Sequence, residues 1–518
     1  MPDETVLGAS VAGGTPFKPR RRRGKRDIFQ GEATWLSSVI NLLNTIIGAG
    51  VLAMPLAISH MGIVLGVITV LWSGVTAGFG LYLQARCAQY LDRGAASFFA
   101  LSQITYPNAA VIFDAAIAIK CFGVGVGYLI IIGDLMPGVV EAFLGGPPES
   151  AFLVDRRFWI TAFMLFIIPL SYLRRLDSLK YTSLVALVSI GYLAILVVYH
   201  FCIGDTMDER GPVRVVKWAG LAPALSSFPV IVFAYTCHQN MFSILNEIND
   251  NSHWQTTSVV LASIGTAAST YLLVALTGYL SFGDNIGGNI VAMYAPSVAS
   301  TIGRAAIVVL VMFSYPLQVH PCRASVDAVL KWRFKRRSAA GADVSPHRHP
   351  LLSNSRPGPD QMSDLRFAAI TTVIIILSFL VAMTVSSLET VLAYVGSTGS
   401  TSISFILPGL FYYKISSPDS PSHQRLMKED DEADEAGFSD SDVDDHDHHH
   451  HQQQQQHQHR RRLSDRTSSS LLSASGILTH RRHWRRTLLR KLSLALSIYG
   501  VVVMVVCLVT NTLFVASH

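Results

Sequence analysis

The sequence predicts an all-helical membrane protein that crosses the bilayer about eleven times. Half of its 518 residues are hydrophobic and only 15% are charged, whereas an ordinary soluble domain carries about 25% charged residues. The charged residues are collected in a few blocks, and the long intervals between these blocks contain almost none. A soluble core does not separate its charges in this way, so the apolar excess indicates helices in lipid.

Each predicted span is an apolar run close to the length that crosses a bilayer. A hydrocarbon core about 30 Å thick needs about 20 helical residues, and a helix pairs every backbone polar group within lipid. The runs are too long, and alternate too poorly, for barrel strands. They cover residues 36–58, 62–85, 111–143, 158–173, 181–203, 221–245, 258–282, 300–321, 367–387, 389–413 and 488–515.

The distribution of Lys and Arg predicts the orientation of these spans. Short basic loops stay on the cytosolic side of a membrane, and a cluster of six basic residues at 20–26 precedes the first span. With the N-terminus in the cytosol, eleven crossings place the C-terminus on the opposite side. The other cytosolic connections then hold most of the loop basic residues: Arg86, Arg93, Arg174, Arg175, Lys180 and the stretch from Arg323 to Arg337.

Three polar stretches divide the chain outside its spans. Residues 1–34 form a basic arm, 333–365 a first cytosolic loop and 414–486 a longer one, and such compositions cannot bury enough apolar surface to fold. The predicted spans occupy the intervals 35–332 and 366–413 and the final segment 487–518, which ends in a short tail. Four histidines at 448–451 are typical of metal binding or of a solvated linker, and the linker is the favoured interpretation.

The first span contains an interruption typical of a discontinuous helix. Small residues at 48–50 are followed by Pro55, and Asn41 and Asn44 lie three residues apart on one helical face. At such a break, the free N–H groups of one half-helix bind a carboxylate, and free carbonyls and Asn side chains bind an amine or a cation. The alternative is that the glycines only allow close helix packing.

The sixth span carries a second irregular stretch, because its half from Tyr235 to Glu247 is unusually polar. The first and sixth spans correspond to one another if the chain contains two inverted five-helix repeats and one extra helix, and paired interruptions at such positions indicate a binding site. No glycine marks this second break. His238 is a candidate for proton handling or gating, since imidazole titrates near neutrality, and a purely structural histidine is the alternative.

Lys120 lies deep in the third span. It follows the start of that span by about nine residues, or roughly 14 Å at 1.5 Å per residue, which is too far for easy contact with the membrane surface. One hypothesis is a charge that contacts substrate or changes partners during gating. The other, which is favoured, is a static pair with a carboxylate or carbonyl.

Residues 41–55, 120–137 and 233–247 closely resemble the amino acid/auxin permease family. The likeness covers nearly all spans, is strongest to the fungal vacuolar amino acid transporter branch, and extends more distantly to the sodium-coupled neutral amino acid transporters. The resemblance implies a LeuT-like fold with an inverted 5+5 repeat, secondary transport of amino acids, and a vacuolar or lysosome-like membrane. Export to the cytosol is the favoured direction.

Two cation-site residues are implied by the sodium-coupled relatives, which use an asparagine just before the small residues of the first helix and a hydroxyl residue in the eighth helix. Asn44 and Ser314 stand at these positions, although Ser314 replaces a threonine. The oxygen ligand is therefore retained, which permits sodium. The vacuolar branch is usually regarded as proton-linked, so H⁺ is the expected coupling ion and Na⁺ the alternative. Lys120 is the third candidate for ion coupling.

The expected mechanism is alternating access around an amino acid held between the two broken helices and the lipid-embedded scaffold. No cofactor, metal site or nucleic-acid partner is expected, and the basic residues lie in loops beside the membrane. The predicted substrate-binding residues are Asn41, Thr45, Gly48, Ala49, Gly50, Tyr235, Thr236 and His238.

Three other functions remain to be compared with vacuolar transport. An amino-acid sensor would bind substrate and signal through the long cytosolic loop, and a channel would pass solute without coupling or saturation. A plasma-membrane importer coupled to sodium or protons would share the same site. An integral membrane enzyme is disfavoured, because the sequence shows no nucleophile elbow, phosphate-binding glycine loop or zinc motif.

Overall fold

The structure is a computed structural model that describes residues 31–144, 151–173, 180–340, 362–421, 423–424 and 486–513. Apart from an isolated bridge between Ala33 and Ile248, these residues form helices and their connections. The α-helices are α1 Trp35–Ile46, α2 Gly50–Met61, α3 Ile63–Ala88, α4 Phe98–Thr105, α5 Ala110–Leu144, α6 Arg156–Ser171, α7 Lys180–Ile203, α8 Leu221–Ala234, α9 His238–Glu247, α10 His253–Phe282, α11 Ile290–Met293, α12 Val298–Ala340, α13 Asp364–Thr384, α14 Leu388–Val395, α15 Leu407–Ile415 and α16 Arg486–Leu513.

All eleven predicted spans are helical in the described residues. Within the part of the chain that the structure describes, nine helical segments are long and apolar enough to cross a membrane as they stand, and α1 with α2 makes a tenth span that is bent by 58°. The eleventh segment, α6, has 16 residues, which is short for a span, as the sequence run at 158–173 predicted. The all-helical polytopic fold is therefore confirmed.

Polar capping residues fix where several of these helices begin. Thr34, Ser97, Asp155, Ser252 and Ser387 each accept a hydrogen bond from a backbone N–H two or three residues further along the chain. Such caps pair the N–H groups that the first helical turn leaves free. They stand next to long apolar runs, so the sequence marks both the start and the length of these spans.

The outer helices expose apolar side chains as lipid-facing helices do. Val75 on α3 is 65% exposed and Ile195 on α7 is 69% exposed, and α10, α13 and α16 carry similar residues. In contrast, α2 and the central parts of α5 and α8 are almost completely buried. The first, third and sixth spans therefore lie inside the bundle, which is where a solute path through the protein has to run.

The tenth span departs from the regular helix predicted at 389–413. Between α14 and α15 the chain forms two π-helical turns, Gly396–Ser400 and Ser402–Ile406. The physical reason lies in the small hydroxyl residues of this stretch, whose side chains bond to carbonyls of the preceding turn, as Thr401 Oγ1 does to Gly396 O at 2.6 Å. π-helical turns are often found at functional sites.

The predicted boundaries of the three polar stretches can be compared with the structure only where it describes the residues. α12 extends to Ala340, so the helix runs through residues 333–340, where the sequence predicted the start of a cytosolic loop. The basic arm at 1–30, the loop at 341–361 and residues 425–485, which include the histidine tract, lie outside the described residues. Their predicted disorder stays a prediction.

Candidate functional site

The first span breaks at residues 47–49. α1 ends where the Ile47 backbone turns extended, with ψ of 101°, and α2 begins at Gly50, with the Val51 N–H donating to the Gly48 carbonyl at 3.2 Å. Helix geometry leaves the first N–H groups of α2 and the last carbonyls of α1 without partners inside their own helices. The predicted discontinuity of this span is confirmed by the 58° bend between α1 and α2.

The sixth span breaks at residues 235–237, between α8 and α9. The chain leaves the helix here without a glycine, because Thr236 closes the end of α8 with two hydrogen bonds. Its N–H donates to Phe233 O and its hydroxyl donates to Val232 O, each at 2.9 Å. The predicted pairing of interruptions in the first and sixth spans is therefore confirmed.

The two breaks touch each other in the interior. A Cβ atom built on Gly50 would lie 2.7 Å from the Cβ of Ala234, which is the last residue of α8. Only a residue without a side chain allows this approach. Gly50 thus brings the start of α2 against the end of α8, and the packing role that the sequence left open for this glycine is real.

Tyr271 of α10 joins the two breaks. Its hydroxyl lies 2.7 Å from the carbonyl oxygen of Ile46, at the end of α1, and 2.7 Å from that of Ala234. The side chain is completely buried. A hydroxyl has one hydrogen to donate, so at any moment one of the two carbonyls is left with unused hydrogen-bonding capacity.

Space remains open beside Gly48. A Cβ atom built there meets only the hydroxyl of Tyr128, on α5, at 3.9 Å. The same hydroxyl interacts with the side chains of Ser314 and Gln318 on α12. The hydroxyl of the third span thus lies beside the first break, and Ser314, predicted from resemblance as an ion ligand, interacts with this hydroxyl from the eighth span.

Lys120 lies on α5 facing the second break. The residue is 3% exposed, and the titratable groups that interact electrostatically with its ammonium include Cys121, Cys237 and His238. Within the described residues it makes no ion pair with a carboxylate. A static pair with a carboxylate is therefore not found in this part of the chain, and the static carbonyl contact favoured from the sequence and the partner-changing charge both stay predictions.

His238 begins α9 and is also completely buried. Its Nε2 lies 3.2 Å from the carbonyl of Ala77 on α3. A carbonyl can only accept, so Nε2 carries the hydrogen and Nδ1 is the bare ring nitrogen. Among the described residues Nδ1 has no hydrogen-bond partner, which leaves a buried acceptor at the break beside Lys120.

The remaining predicted site residues divide into two groups. Thr45 and Asn240 link the two broken spans, since the Asn240 amide donates to Thr45 Oγ1 at 3.1 Å. Thr236 is buried and accepts from Ser404 of the π-helical turn at 3.3 Å. Asn41 is an exposed residue of α1, so the structure does not bring its side chain into the buried junction.

Ala49, Asn44 and Tyr235 lie at the breaks themselves. Ala49 is buried and precedes α2, and Asn44 is half-buried on the last turn of α1. Tyr235 is completely buried and packs edge-to-face on Tyr271, with 5.2 Å between ring centroids. Its hydroxyl has no hydrogen-bond partner among the described residues, so it is a further buried group at this break with unused hydrogen-bonding capacity.

Two polar groups of this junction, Tyr128 and Tyr271, are absent from the predicted site. Tyr128 follows a stretch of alternating glycines at 123–127, which was a usable signal of close packing at that depth. Tyr271 has no such signal, because the chain has 17 tyrosines and nothing local distinguishes the one that contacts both helix ends. Its role depends on a contact between residues more than 220 positions apart.

The family model described as "Transmembrane amino acid transporter protein" matches residues 31–430. The chain belongs to this family. The transmembrane amino acid transporter family is the one that the sequence resembles, the amino acid/auxin permeases, and the matched residues contain both broken spans and the whole junction around Tyr271.

Relatives of this transmembrane amino acid transporter include two fungal proteins. It is 45% identical to vacuolar amino acid transporter 5 of Schizosaccharomyces pombe over 408 residues, which are 78% of this chain and 90% of that one. It is 43% identical to vacuolar amino acid transporter 6 of Saccharomyces cerevisiae, covering 73% and 89% of the two chains. The bovine sodium-coupled neutral amino acid transporter 7 is more distant, at 27% identity over 73% and 79%.

The fold of this transmembrane amino acid transporter matches a solved transporter structure. The inward-facing conformation of Mhp1 superposes with a TM-score of 0.50 at 9% sequence identity, covering 74% of this chain and 77% of that one. At this identity the match concerns the fold alone. It agrees with the LeuT-like arrangement that the family resemblance implied.

Proposed function

We propose that this protein is a secondary active transporter that moves amino acids across the vacuolar membrane by alternating access. The observation that carries the proposal is the junction of two broken helices in the bundle interior, where Tyr271 contacts the carbonyl ends of both α1 and α8. Helix breaks of this kind present opposite partial charges to a solute. A zwitterionic amino acid has the complementary charges.

The proposed binding mode assigns each end of the substrate to a different helix end. The carboxylate would meet the N–H groups at the start of α2, in the open space beside Gly48, with the Tyr128 hydroxyl as a further donor. The ammonium would meet the carbonyls of Ile46 and Ala234, since the single hydrogen of Tyr271 satisfies only one of them. Both ends of the substrate are thus recognised by backbone groups that every amino acid can use.

The proposed membrane, coupling ion and direction follow the family. The fungal relatives are named vacuolar amino acid transporters, so we infer a vacuolar location, with the N-terminus cytosolic and the C-terminus lumenal, as the positions of basic residues predict. In an acidic vacuole, proton symport would drive amino acids into the cytosol. Export coupled to H⁺ is the proposed direction.

Transport in proteoliposomes tests this proposal. Purified protein would be reconstituted and exposed to a panel of labelled neutral and basic amino acids, with a pH gradient of either sign and with sodium present or absent. Saturable flux that follows the proton gradient is the expected result. Empty liposomes and liposomes with the Lys120→Met variant serve as controls.

Three other results would each contradict part of the proposal. Flux that follows sodium and ignores the pH gradient would make the protein a sodium-coupled carrier. Specific binding without flux would favour an amino-acid sensor. Flux that does not saturate would indicate a channel.

A further inference from the structure

A second polar cluster lies at the end of the first span that is remote from α1. His60, on the last turn of α2, has its Nδ1 atom 2.6 Å from the hydroxyl oxygen of Ser227 on α8. The Ser227 hydroxyl donates to Glu389 Oε1 at 3.2 Å. The His60 nitrogen and the Glu389 oxygen are themselves 3.6 Å apart, so the three side chains form one connected group.

The hydrogens of this cluster can be assigned from its geometry. Ser227 has a single hydroxyl hydrogen, and the carboxylate of Glu389 can only accept, so that hydrogen is directed to Glu389. The 2.6 Å contact with His60 then requires Nδ1 to donate. In the neutral ring this leaves Nε2 as the bare nitrogen, and Nε2 is the atom that a further proton would occupy.

The cluster joins three elements that belong to different spans. His60 lies on the second half of the broken first span, Ser227 on the first half of the broken sixth span, and Glu389 in the first turn of α14 in the tenth span. The positive end of the α14 dipole favours an ionised Glu389. A charge placed on His60 therefore acts directly on the relative positions of the helices that form the substrate junction.

The surroundings of the cluster allow a proton to reach it. The side chains of His60 and Glu389 are 26% and 23% exposed. The other charged groups that face His60 are Arg214 and Asp284, which pair with each other at 2.8 Å. Since those two charges largely cancel, Glu389 is the dominant charge beside the ring.

We propose that His60 and Glu389 form the site that binds the coupling proton from the lumenal side. The inference rests on the proposed proton-coupled function and orientation, which place the end of α2 at the lumen. Imidazole exchanges protons between about pH 5 and pH 8, the range that separates an acidic lumen from the cytosol.

The proposed step is a single protonation. A proton from lumenal water binds His60 Nε2, and the His60 and Glu389 pair changes from one net negative charge to none. The resulting imidazolium attracts the carboxylate, which draws α2, α8 and α14 together on the lumenal side. Loss of the same proton in the later part of the cycle releases these helices.

Paired flux measurements test this site in the full-length protein. The His60→Gln and Glu389→Gln variants would be reconstituted beside the wild type, with the amino acid of the test panel that the wild type carries fastest. One assay measures exchange of labelled for unlabelled substrate at equal pH, and the other measures uphill flux while the pH of the lumenal face is varied. The His200→Gln variant is the matched control, because His200 also pairs with a carboxylate, Asp205 at 2.6 Å, and its ring contacts are to Tyr199 and Tyr294 rather than to α2, α8 or α14.

The expected result is a loss of coupling with exchange retained. The His60→Gln variant should lose about tenfold or more of its uphill flux and its dependence on lumenal pH, within the usual range of coupling between two sites. The His200→Gln variant should keep the wild-type pH profile. Glu389→Gln should weaken the pH response in the same direction, because the added proton then has no carboxylate to attract it.

Two results with the variants would overturn the proton site alone. The first is a wild-type pH profile in His60→Gln. The second is an equal loss of exchange and uphill flux in that variant, which would indicate a structural role. A wild type whose flux ignores the pH gradient would overturn the proton-coupled function as well, so the two failures are distinguishable.

Discussion

The two helix breaks at the centre of this transporter are built in different ways. The break at 47–49 uses small residues and offers backbone groups and open space, as the surroundings of Gly48 illustrate. The break at 235–237 has no glycine and offers buried side chains, among them the hydroxyl of Tyr235 and the Nδ1 atom of His238. The first break offers backbone groups that can bind the carboxylate and ammonium that all amino acids share. The second offers side chains that can respond to charge or to a particular substrate side chain.

Tyr271 connects the two breaks, because its hydroxyl contacts a backbone carbonyl at each of them. The carbonyls at the ends of α1 and α8 share its hydroxyl, and Gly50 holds the start of α2 against Ala234. A movement of either broken helix is therefore transmitted to the other. In the proposed binding mode, substrate held mainly by the first break would thereby change the environment of Lys120 and His238 at the second.

The largest effect is expected from removing the charge that faces the second break. The Lys120→Met variant keeps the length of the side chain and loses the ammonium of a residue that is 3% exposed and interacts electrostatically with Cys237 and His238. We expect flux to fall by about 100-fold, at the upper end of coupling between two sites, while the protein stays folded. Labelled amino acid uptake and size-exclusion chromatography measure the two properties.

The control for this variant is the same substitution at a surface lysine. Lys331 pairs with Asp327 at 3.3 Å and its side chain is 40% exposed, so Lys331→Met should leave flux close to wild type. Normal transport by Lys120→Met would remove the functional role of this charge.

The next effect separates the two glycines of the first break. Gly50→Ala places a methyl group 2.7 Å from Ala234 Cβ, and overpacking of this kind costs about 1–3 kcal/mol. Gly48→Ala meets only the Tyr128 hydroxyl at 3.9 Å, so the protein should fold normally and lose substrate affinity. Gly50→Ala should therefore lower the thermal stability measured in detergent, and Gly48→Ala should raise the KM of transport. Equal loss of stability in both variants would contradict the assigned roles.

The sequence predicts this part of the molecule well, for physical reasons. Small residues at 48–50 are a local signal of the helix break, and apolar runs of the required length mark the spans. Pro55, which the sequence also suggested as part of the interruption, lies inside α2. The contact between Gly50 and Ala234 has no local signal, because it joins residues 184 positions apart. Tyr271 was missed for the same reason. The sequence thus locates each break, whereas only the folded chain determines which groups meet there.

A smaller effect tests whether Tyr271 ties the breaks together. Tyr271→Phe removes the donor that two buried carbonyls share, and an unsatisfied buried acceptor costs about 1–3 kcal/mol. Tyr235→Phe is the matched control, since this adjacent hydroxyl has no partner among the described residues, and its removal should leave the free energy of unfolding unchanged or slightly raised. Thermal unfolding of both variants in detergent measures the difference. Equal destabilisation would contradict the shared hydrogen bond.

The smallest effect concerns the second polar link between the breaks, from the Asn240 amide to Thr45 Oγ1 at 3.1 Å. Thr45→Val and Asn240→Ala should show a coupling of about 0.5–1.5 kcal/mol in a double-mutant cycle on unfolding free energy, the usual net value of one hydrogen bond. Thr45→Val combined with Thr372→Val on α13 should be additive, because the Thr372 hydroxyl bonds to Ala368 O and to the Tyr172 hydroxyl and contacts neither Thr45 nor Asn240. Additivity in the first cycle would mean that this hydrogen bond does not contribute to joining the two breaks.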